Sequence, residues 1–176
     1  MCKISKIRLI NPTDEYLNEI WNFKNEFHDI ENGIEGTSKL AVMVSPEDWL
    51  IHLKNNVNLR KKEEKIRAIQ YIAINQQNKV VGMLNIRLDL NDYLFNYGGH
   101  IGYSVRPSER KNGYGYEILK EAITHSKELG VKNLLLVCND DNIPSIKVIE
   151  KNNGVLENKV FDKDDNVYVR RYFINL

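Results

Sequence analysis

The segment Val105-Arg106-Pro107-Ser108-Glu109-Arg110-Lys111-Asn112-Gly113-Tyr114-Gly115 decides the fold of this chain. It follows a short β-rich run, His100 to Val105, and precedes Tyr116 to Leu129, where Ile118, Leu119, Ala122, Ile123 and Leu129 recur on one helical face before Gly130 closes the helix. Glycines between a strand and a helix let main-chain N–H groups come close to a ligand. The free donors and the dipole of a helix N-terminus then favour a phosphate or pyrophosphate, and Arg110 and Lys111 add positive charge there. A Walker loop needs lysine followed by serine or threonine after its last glycine, where Tyr116-Glu117 stand instead. A dinucleotide fingerprint needs a small residue three places after Gly115, where this chain has Ile118. Neither nucleotide loop fits.

Downstream, Leu134 to Cys138 is apolar without alternation, the pattern of a strand buried on both faces. Strand, helix and strand in succession imply a parallel pair joined by a right-handed crossover. Asn142 to Lys151 reads as a short helix stopped by Asn152-Asn153-Gly154, and Val155 to Phe161 with Val167 to Ile174 as a hairpin around residues 162–166. Upstream, Ala68 to Asn75 and Lys79 to Leu88 form a hairpin across Gln76-Gln77-Asn78, followed by a polar-aromatic loop, Asp89 to Tyr97. Ile4 to Ile10 reads as a strand, and Thr13-Asp14-Glu15 opens a helix striped by Leu17, Ile20, Trp21 and Phe27. Ile30 to Val44, with Gly33 and Gly36, is irregular. Ser45-Pro46-Glu47-Asp48 restarts a helix that fades near Asn55, and the mixed charges from Arg60 to Lys65 read as a solvated stretch. The expected fold class is α/β: a central twisted mixed sheet flanked by helices, residues 1–176 forming a single domain.

Arg110-x-x-Gly113-x-Gly115 resembles the pyrophosphate-binding signature of the GNAT N-acetyltransferases, and Asn142-Ile143-Pro144-Ser145 with its helix resembles that family's second cofactor element. The similarity is strongest from Gly98 to Gly154. Val80 to Arg87 and Gly98 to Tyr103 are also similar to a bacterial branch of predicted acetyltransferases, which brings no substrate with it. The resemblance implies acetyl-CoA as cosubstrate and transfer of its acetyl group to a primary amine of a small molecule or peptide, by direct attack on the thioester. It places Arg110, Lys111, Asn112, Gly113, Tyr114 and Gly115 around the diphosphate, and Asn142 and Ser145 beside the pantetheine and phosphate. The splayed strand Tyr103-Ser104-Val105 would take the pantetheine arm, with an oxyanion donor near Val105. His100 is the candidate base because imidazole titrates near neutrality, and Tyr103 is its rival; strand parity sets the two on opposite faces unless a bulge intervenes. One departure stands out: many relatives carry tyrosine four residues after the Ser145 position, and this chain has Ile149. The proton for the departing sulfur would then come from Tyr103, Tyr168, Tyr172 or water. The same departure keeps open a non-catalytic acyl-CoA-binding sensor or scaffold.

Lysine and arginine nearly balance the acids, for a formal net charge of +1, so no whole-protein field gathers nucleic acid or an anionic membrane. The apolar runs are too short to span a bilayer. Cys2 and Cys138 are far apart, and Cys138 ends an apolar run as a buried thiol would, which fits a cytoplasmic setting. No metal is expected. Arg87, Asp89, Asn91, Asp92, Tyr93, Phe95 and Tyr97 form a candidate acceptor wall, with Ile30 to Val44 as a lid, and the family resemblance implies a homodimer built on C-terminal hairpins.

Overall fold

In a computed structural model, which describes residues 6–58 and 66–176, the chain begins with β1 (Ile7–Ile10), α1 (Leu17–Asn25), α2 (Pro46–Asn58), β2 (Ala68–Asn75) and β3 (Val80–Arg87). It continues through β4 (Ile101–Val105), α3 (Tyr114–Glu128), β5 (Asn133–Asn139), α4 (Ile143–Lys151), β6 (Val155–Asp162) and β7 (Val167–Asn175). Cys2, the first residues of the expected N-terminal strand and the charge run from Arg60 to Lys65 lie outside the described residues.

The strands form two antiparallel sheets, ordered β1-β2-β3-β4 and β5-β7-β6. The expected parallel pair, β4 and β5, forms no ladder; the sheets meet at one bridge, Gly99 with Leu136. A splayed pair of this kind is the fold's cleft.

Two cores lie on opposite faces of the first sheet. On one face, Leu84, Ile86 and Ile101 pack with Ile118, Leu119 and Ala122 of α3, Leu134 and Leu136 of β5, Ile146 and Ile149 of α4 and Tyr172 of β7. Leu135, on the opposite face of β5 from Leu134 and Leu136, is fully buried as well, which is why this sequence lacks alternation. On the other face, Ile72, Ile74, Val80 and Met83 pack against Ile20 and Phe23 of α1 and Trp49 and Leu50 of α2. Local chemistry sets the helix starts: Ser45 Oγ accepts the Asp48 N–H at 3.1 Å, and Asn142 Oδ1 accepts the Ser145 N–H at 3.2 Å. Thr13 takes its expected cap position before a single 3-10 turn, Asp14–Tyr16, but makes no side-chain cap bond.

The connection from Ile30 to Val44 is a fixed wall. Gln70 Nε2 donates to the Gly36 and Leu84 carbonyls at 2.7 and 2.9 Å, Trp49 Nε1 to the Thr37 carbonyl at 2.7 Å, and Lys24 Nζ to the Met43 carbonyl at 2.7 Å. Ile34, Leu40 and Ala41 are buried beneath it. A lid would have to break these bonds to move.

Arg106, at the end of β4, ties the first sheet to α1. Its buried guanidinium donates to Glu26 Oε1 at 2.6 Å, Glu19 Oε2 at 2.9 Å and the Val80 carbonyl at 3.1 Å. Burial alone would raise the Glu26 pKa, but the Ser108 N–H and Arg106 outweigh it and hold the carboxyl at about 2. Both carboxylates titrate below their ordinary value, so their contribution is present above about pH 4.5 and is lost as pH falls towards 2. Arg106→Leu should cost about 3 kcal/mol at neutral pH, as for one partner removed from a buried pair. Urea denaturation across pH 7 to 2.5 checks this: the variant should lose less further stability on acidification than the parent.

Candidate functional site

The cleft is set by His100, just ahead of β4. Its main-chain N–H donates to the Leu135 carbonyl at 2.8 Å, and its Nδ1 accepts the Leu135 N–H at 2.9 Å. The imidazole thus takes the place of a main-chain carbonyl, and the ladder that would have zipped β4 to β5 ends there. Nδ1 can accept only when unprotonated. Burial, followed by the Arg87 charge, also holds the His100 pKa below its ordinary value. The ring is neutral, its acceptor nitrogen is engaged by Leu135, and only the Nε2–H donor is left over.

Beyond His100 the β4 edge is open. Arg87 N–H donates to the His100 carbonyl and Arg106 N–H to the Val81 carbonyl, which fixes the phase of the antiparallel ladder with β3. Gly102 and Ser104 therefore direct their main-chain groups at β3, while Ile101, Tyr103 and Val105 direct theirs into the cleft. Of the expected strand Tyr103-Ser104-Val105, the first and last present a free edge. Arg110 Nε approaches the Val105 carbonyl at 3.4 Å.

Across the cleft, Tyr103 OH and Ser145 Oγ are 3.2 Å apart. Burial pushes the phenol up to about 12, the nearby Cys138 thiol adds to the shift, and the Ser145 hydroxyl opposes it. Cys138 is a free, buried thiol on β5, as its sequence context predicts, and burial raises its pKa too. Ile149, at the position where many relatives carry tyrosine, is buried in the first core. The phenol of this cleft is carried by β4. Tyr172 OH instead donates to Glu150 Oε1 at 3.1 Å, and Tyr168 is exposed beside Phe161.

At the mouth, Gly113 takes the N-cap position of α3 with φ +85°, a left-handed conformation that a side chain would strain, and no side chain caps the helix. Gly115 sits between the elements of the cleft: a Cβ there would lie in ordinary contact, 3.4 Å from Val148 of α4 and 3.6 Å from Val105 of β4. Arg110, Lys111 and Asn112 are exposed around the helix start, with Tyr114 half-buried. Lys6 Nζ comes within 3.9 Å of the position of a Gly113 Cβ, so a second lysine reaches this mouth from 107 residues away by sequence, a contribution no local motif reveals. Open N–H donors, a dipole and exposed cations suit a diphosphate. Asn142 is already engaged as the cap of α4, and Ser145 as the partner of Tyr103.

The expected acceptor wall is largely self-paired. Arg67 holds Asp89 by two bonds of 2.6 Å, Asn91 Oδ1 accepts the Leu94 N–H, Tyr93 OH donates to Asp162 at 3.3 Å, and the Arg171 guanidinium lies over the Phe95 ring. Asp92 contributes its carbonyl to Asn96, and Tyr97 packs near Tyr93. Arg87 keeps two donors unused: Nη1 binds the Gly98 and Gly99 carbonyls at 3.1 and 3.0 Å, and among the described residues Nε and Nη2 have no hydrogen-bond partner. Among the described residues no cluster of histidine, cysteine and carboxylates could hold a metal, and no helix is long and apolar enough to cross a membrane.

Two sheets diverging over a helix whose N-terminus faces their gap define an acyl-coenzyme A transferase architecture. The acetyltransferase (GNAT) family model matches residues 35–155, and the chain belongs to that family. Its fold is similar to that of RimL, a ribosomal alpha-N-protein acetyltransferase solved with coenzyme A, at 19% identity and a TM-score of 0.71, covering 98% of this chain and 96% of that one. It is similar to the microcin self-immunity acetyltransferase MccE, solved with acetyl-CoA and AMP, at 17% identity and 0.70, over 98% and 94%. A spermidine N-acetyltransferase chimera from Vibrio cholerae and hSSAT is similar at 14% identity and 0.68, over 97% and 96%. A comparison with curated protein sequences finds no match.

His100 as a fork can be separated from His100 as a base. His100→Leu leaves the Leu135 N–H without its acceptor and should destabilise the protein by about 1–3 kcal/mol. His100→Asn, whose Oδ1 can replace Nδ1, should recover most of that loss, as read by thermal and urea unfolding.

Proposed function

We infer that the protein transfers the acetyl group of acetyl-CoA to a primary amine. The observation that carries this reading is the open β4 edge beyond His100, bounded inside by Tyr103 and Ser145 and outside by the uncapped start of α3. The N-terminus of α3 with Arg110, Lys111, Asn112, Gly113, Tyr114 and Gly115, joined by Lys6, would hold the diphosphate. Tyr103 and Val105 main-chain groups would pair with the pantetheine, with Ser104 between them in the β3 ladder and Asn142 and Ser145 lining the far side.

The thioester carbonyl then lies beside the Val105 N–H, which can stabilise the oxygen as negative charge builds on it. The amine attacks as its free base; the C–N bond forms, the C–S bond breaks, the sulfur leaves with the electron pair, and the proton lost from the nitrogen passes to solvent water. Tyr103 faces that sulfur. A phenol near pKa 12 stays protonated at neutral pH, and full proton transfer to a thiolate of pKa about 8.5 is uphill by roughly 5 kcal/mol. Its contribution is a hydrogen bond to the leaving sulfur. A bond to a charged group contributes about 1.5–3 kcal/mol, so Tyr103→Phe should lower kcat about 10- to 100-fold while leaving acetyl-CoA affinity within about twofold. His100 holds the cleft open and does not act as the base on this reading. The buried Ile149 favours a second reading, a module that binds acyl-CoA without turnover. Tight binding with no thiol release from any amine would establish it.

Calorimetric titration with acetyl-CoA tests the central reading. The parent should bind, and Gly113→Glu, which adds a side chain and a negative charge at the helix start, should lose at least tenfold in affinity. A folded parent that does not bind acetyl-CoA would overturn it.

A further inference from the structure

On the face of the first sheet opposite Tyr103, two charges converge on a residue with no side chain. Gly102 pairs with Asn85 of β3, and both lie on the face that packs towards α1 and α2. The 34–38 segment crosses directly above: a Cβ on Gly36 would come within 2.3 Å of the Gly102 carbonyl oxygen. Gln70 and Trp49 pin that segment, so Glu35 is delivered to the sheet by a rigid support. Its Oε2 lies 2.9 Å from the point a Gly102 Cβ would occupy, and Arg87 Nη2 lies 3.1 Å from the same point.

The two groups face each other without pairing. Glu35 has no hydrogen bond or ion pair among the described residues, and Arg87 uses only Nη1, on the Gly98 and Gly99 carbonyls. The unused Nε–H and Nη2–H of Arg87 are the side-on edge of the guanidinium, the pair of parallel donors that matches a carboxylate. This chain shows that match elsewhere: Arg67 uses the same two nitrogens to hold Asp89, both at 2.6 Å. Flanking Gly102 on the same face, Asn85 Oδ1 and Ser104 Oγ are buried without partners, and Asn85 is only 9% exposed. Unsatisfied polar groups gathered in this way mark a place that a polar ligand completes.

We propose that Glu35 and Arg87 form a two-point seat for an acceptor that carries a carboxylate beside its amine, an amino-acid-like zwitterion with its ammonium at Glu35 and its carboxylate on Arg87. The seat rests on the acetyl-transfer reading and names the acceptor class for it. A polyamine fits less well, because its second cation would be brought towards the Arg87 guanidinium, and like charges in a partly desolvated site repel. An amine without a carboxylate would leave the free edge of Arg87 unmatched.

Thiol release at saturating acetyl-CoA, measured over free amino acids, their amides, dipeptides, putrescine and spermidine, tests the seat. Amino carboxylates should be the acceptors, and converting the carboxylate of the best one to its amide should lower kcat/KM at least tenfold. Glu35 is exposed, so Glu35→Gln should fold; it should raise the acceptor KM at least tenfold and leave acetyl-CoA affinity within twofold. Arg87→Lys keeps the charge but loses the side-on fork, and should abolish discrimination between the acid and its amide. Spermidine turnover as fast as that of any amino carboxylate, or no turnover of any amino carboxylate by a protein that binds acetyl-CoA, would overturn the seat alone. Absence of acetyl-CoA binding by the parent would overturn the transfer reading and the seat with it.

Discussion

The two hydrogen bonds between His100 and Leu135 are the constraint on which the rest of the structure depends. A continuous β4–β5 ladder would satisfy the main-chain groups of both strands and leave no cleft. A gap with no fastening would leave the two sheets held only by side chains. The imidazole resolves the conflict by acting as one main-chain acceptor at the point of divergence. Gly99, with φ +70°, makes this approach possible, since a Cβ there would come within 2.7 Å of the Leu135 carbonyl oxygen. The features proposed for binding follow from the divergence: main-chain groups of Tyr103 and Val105 turned away from β3, a phenol reaching Ser145, and α3 starting at the mouth.

Elements whose cause is local were legible from the sequence. Ser45 and Asn142 cap their helices because the cap is made within three residues, and β5 lacks alternation because helices and strands cover both its faces. The Gly113 and Gly115 pattern identified the family and the helix start, although only Gly113 takes a left-handed conformation, while a side chain at 115 would meet Val148 and Val105 at ordinary contact distances. Contacts between distant parts of the chain were not legible. Nothing local announces that Lys6 reaches Gly113, that Glu19 and Glu26 clamp Arg106, or that Glu35 is carried onto β4. The histidine was visible as a titratable group at a strand start, a candidate base or a structural residue; which of its nitrogens is engaged depends on a strand 35 residues away. Likewise, composition marked Asp89 to Tyr97 as a polar wall, but pairing within the fold occupies much of it, while the neighbouring Arg87 keeps Nε and Nη2 unused.

The absence of tyrosine at position 149 has a structural counterpart. Ile149 fills the first core, and Gly154 just beyond α4 is packed so closely that a Cβ there would lie 2.4 Å from the Ile149 side chain. A tyrosine in that orientation would need the volume that the Gly154 turn now takes. With the helix committed to packing, the phenol available to the cleft comes from a strand. Tyr103 is fixed there by burial and by its contact with Ser145.

That placement couples the two halves of the proposed reaction. Successive residues of a strand point to opposite faces, so Tyr103 lies on the α4 side while Gly102 and Ser104 lie on the side of Glu35 and Arg87. On the proposed reading the thioester would enter along the edge between those faces. An amine seated at Gly102 would then approach the carbonyl from one side of β4 while the sulfur departs towards the phenol on the other. A side chain at position 102 would stand where Glu35 and Arg87 converge, which makes the missing Cβ a requirement of the acceptor face. On this reading Gly102, Tyr103 and Val105 of one strand would set attack, departure and oxyanion geometry together, and the pinned 34–38 segment would supply the acceptor side without a moving lid.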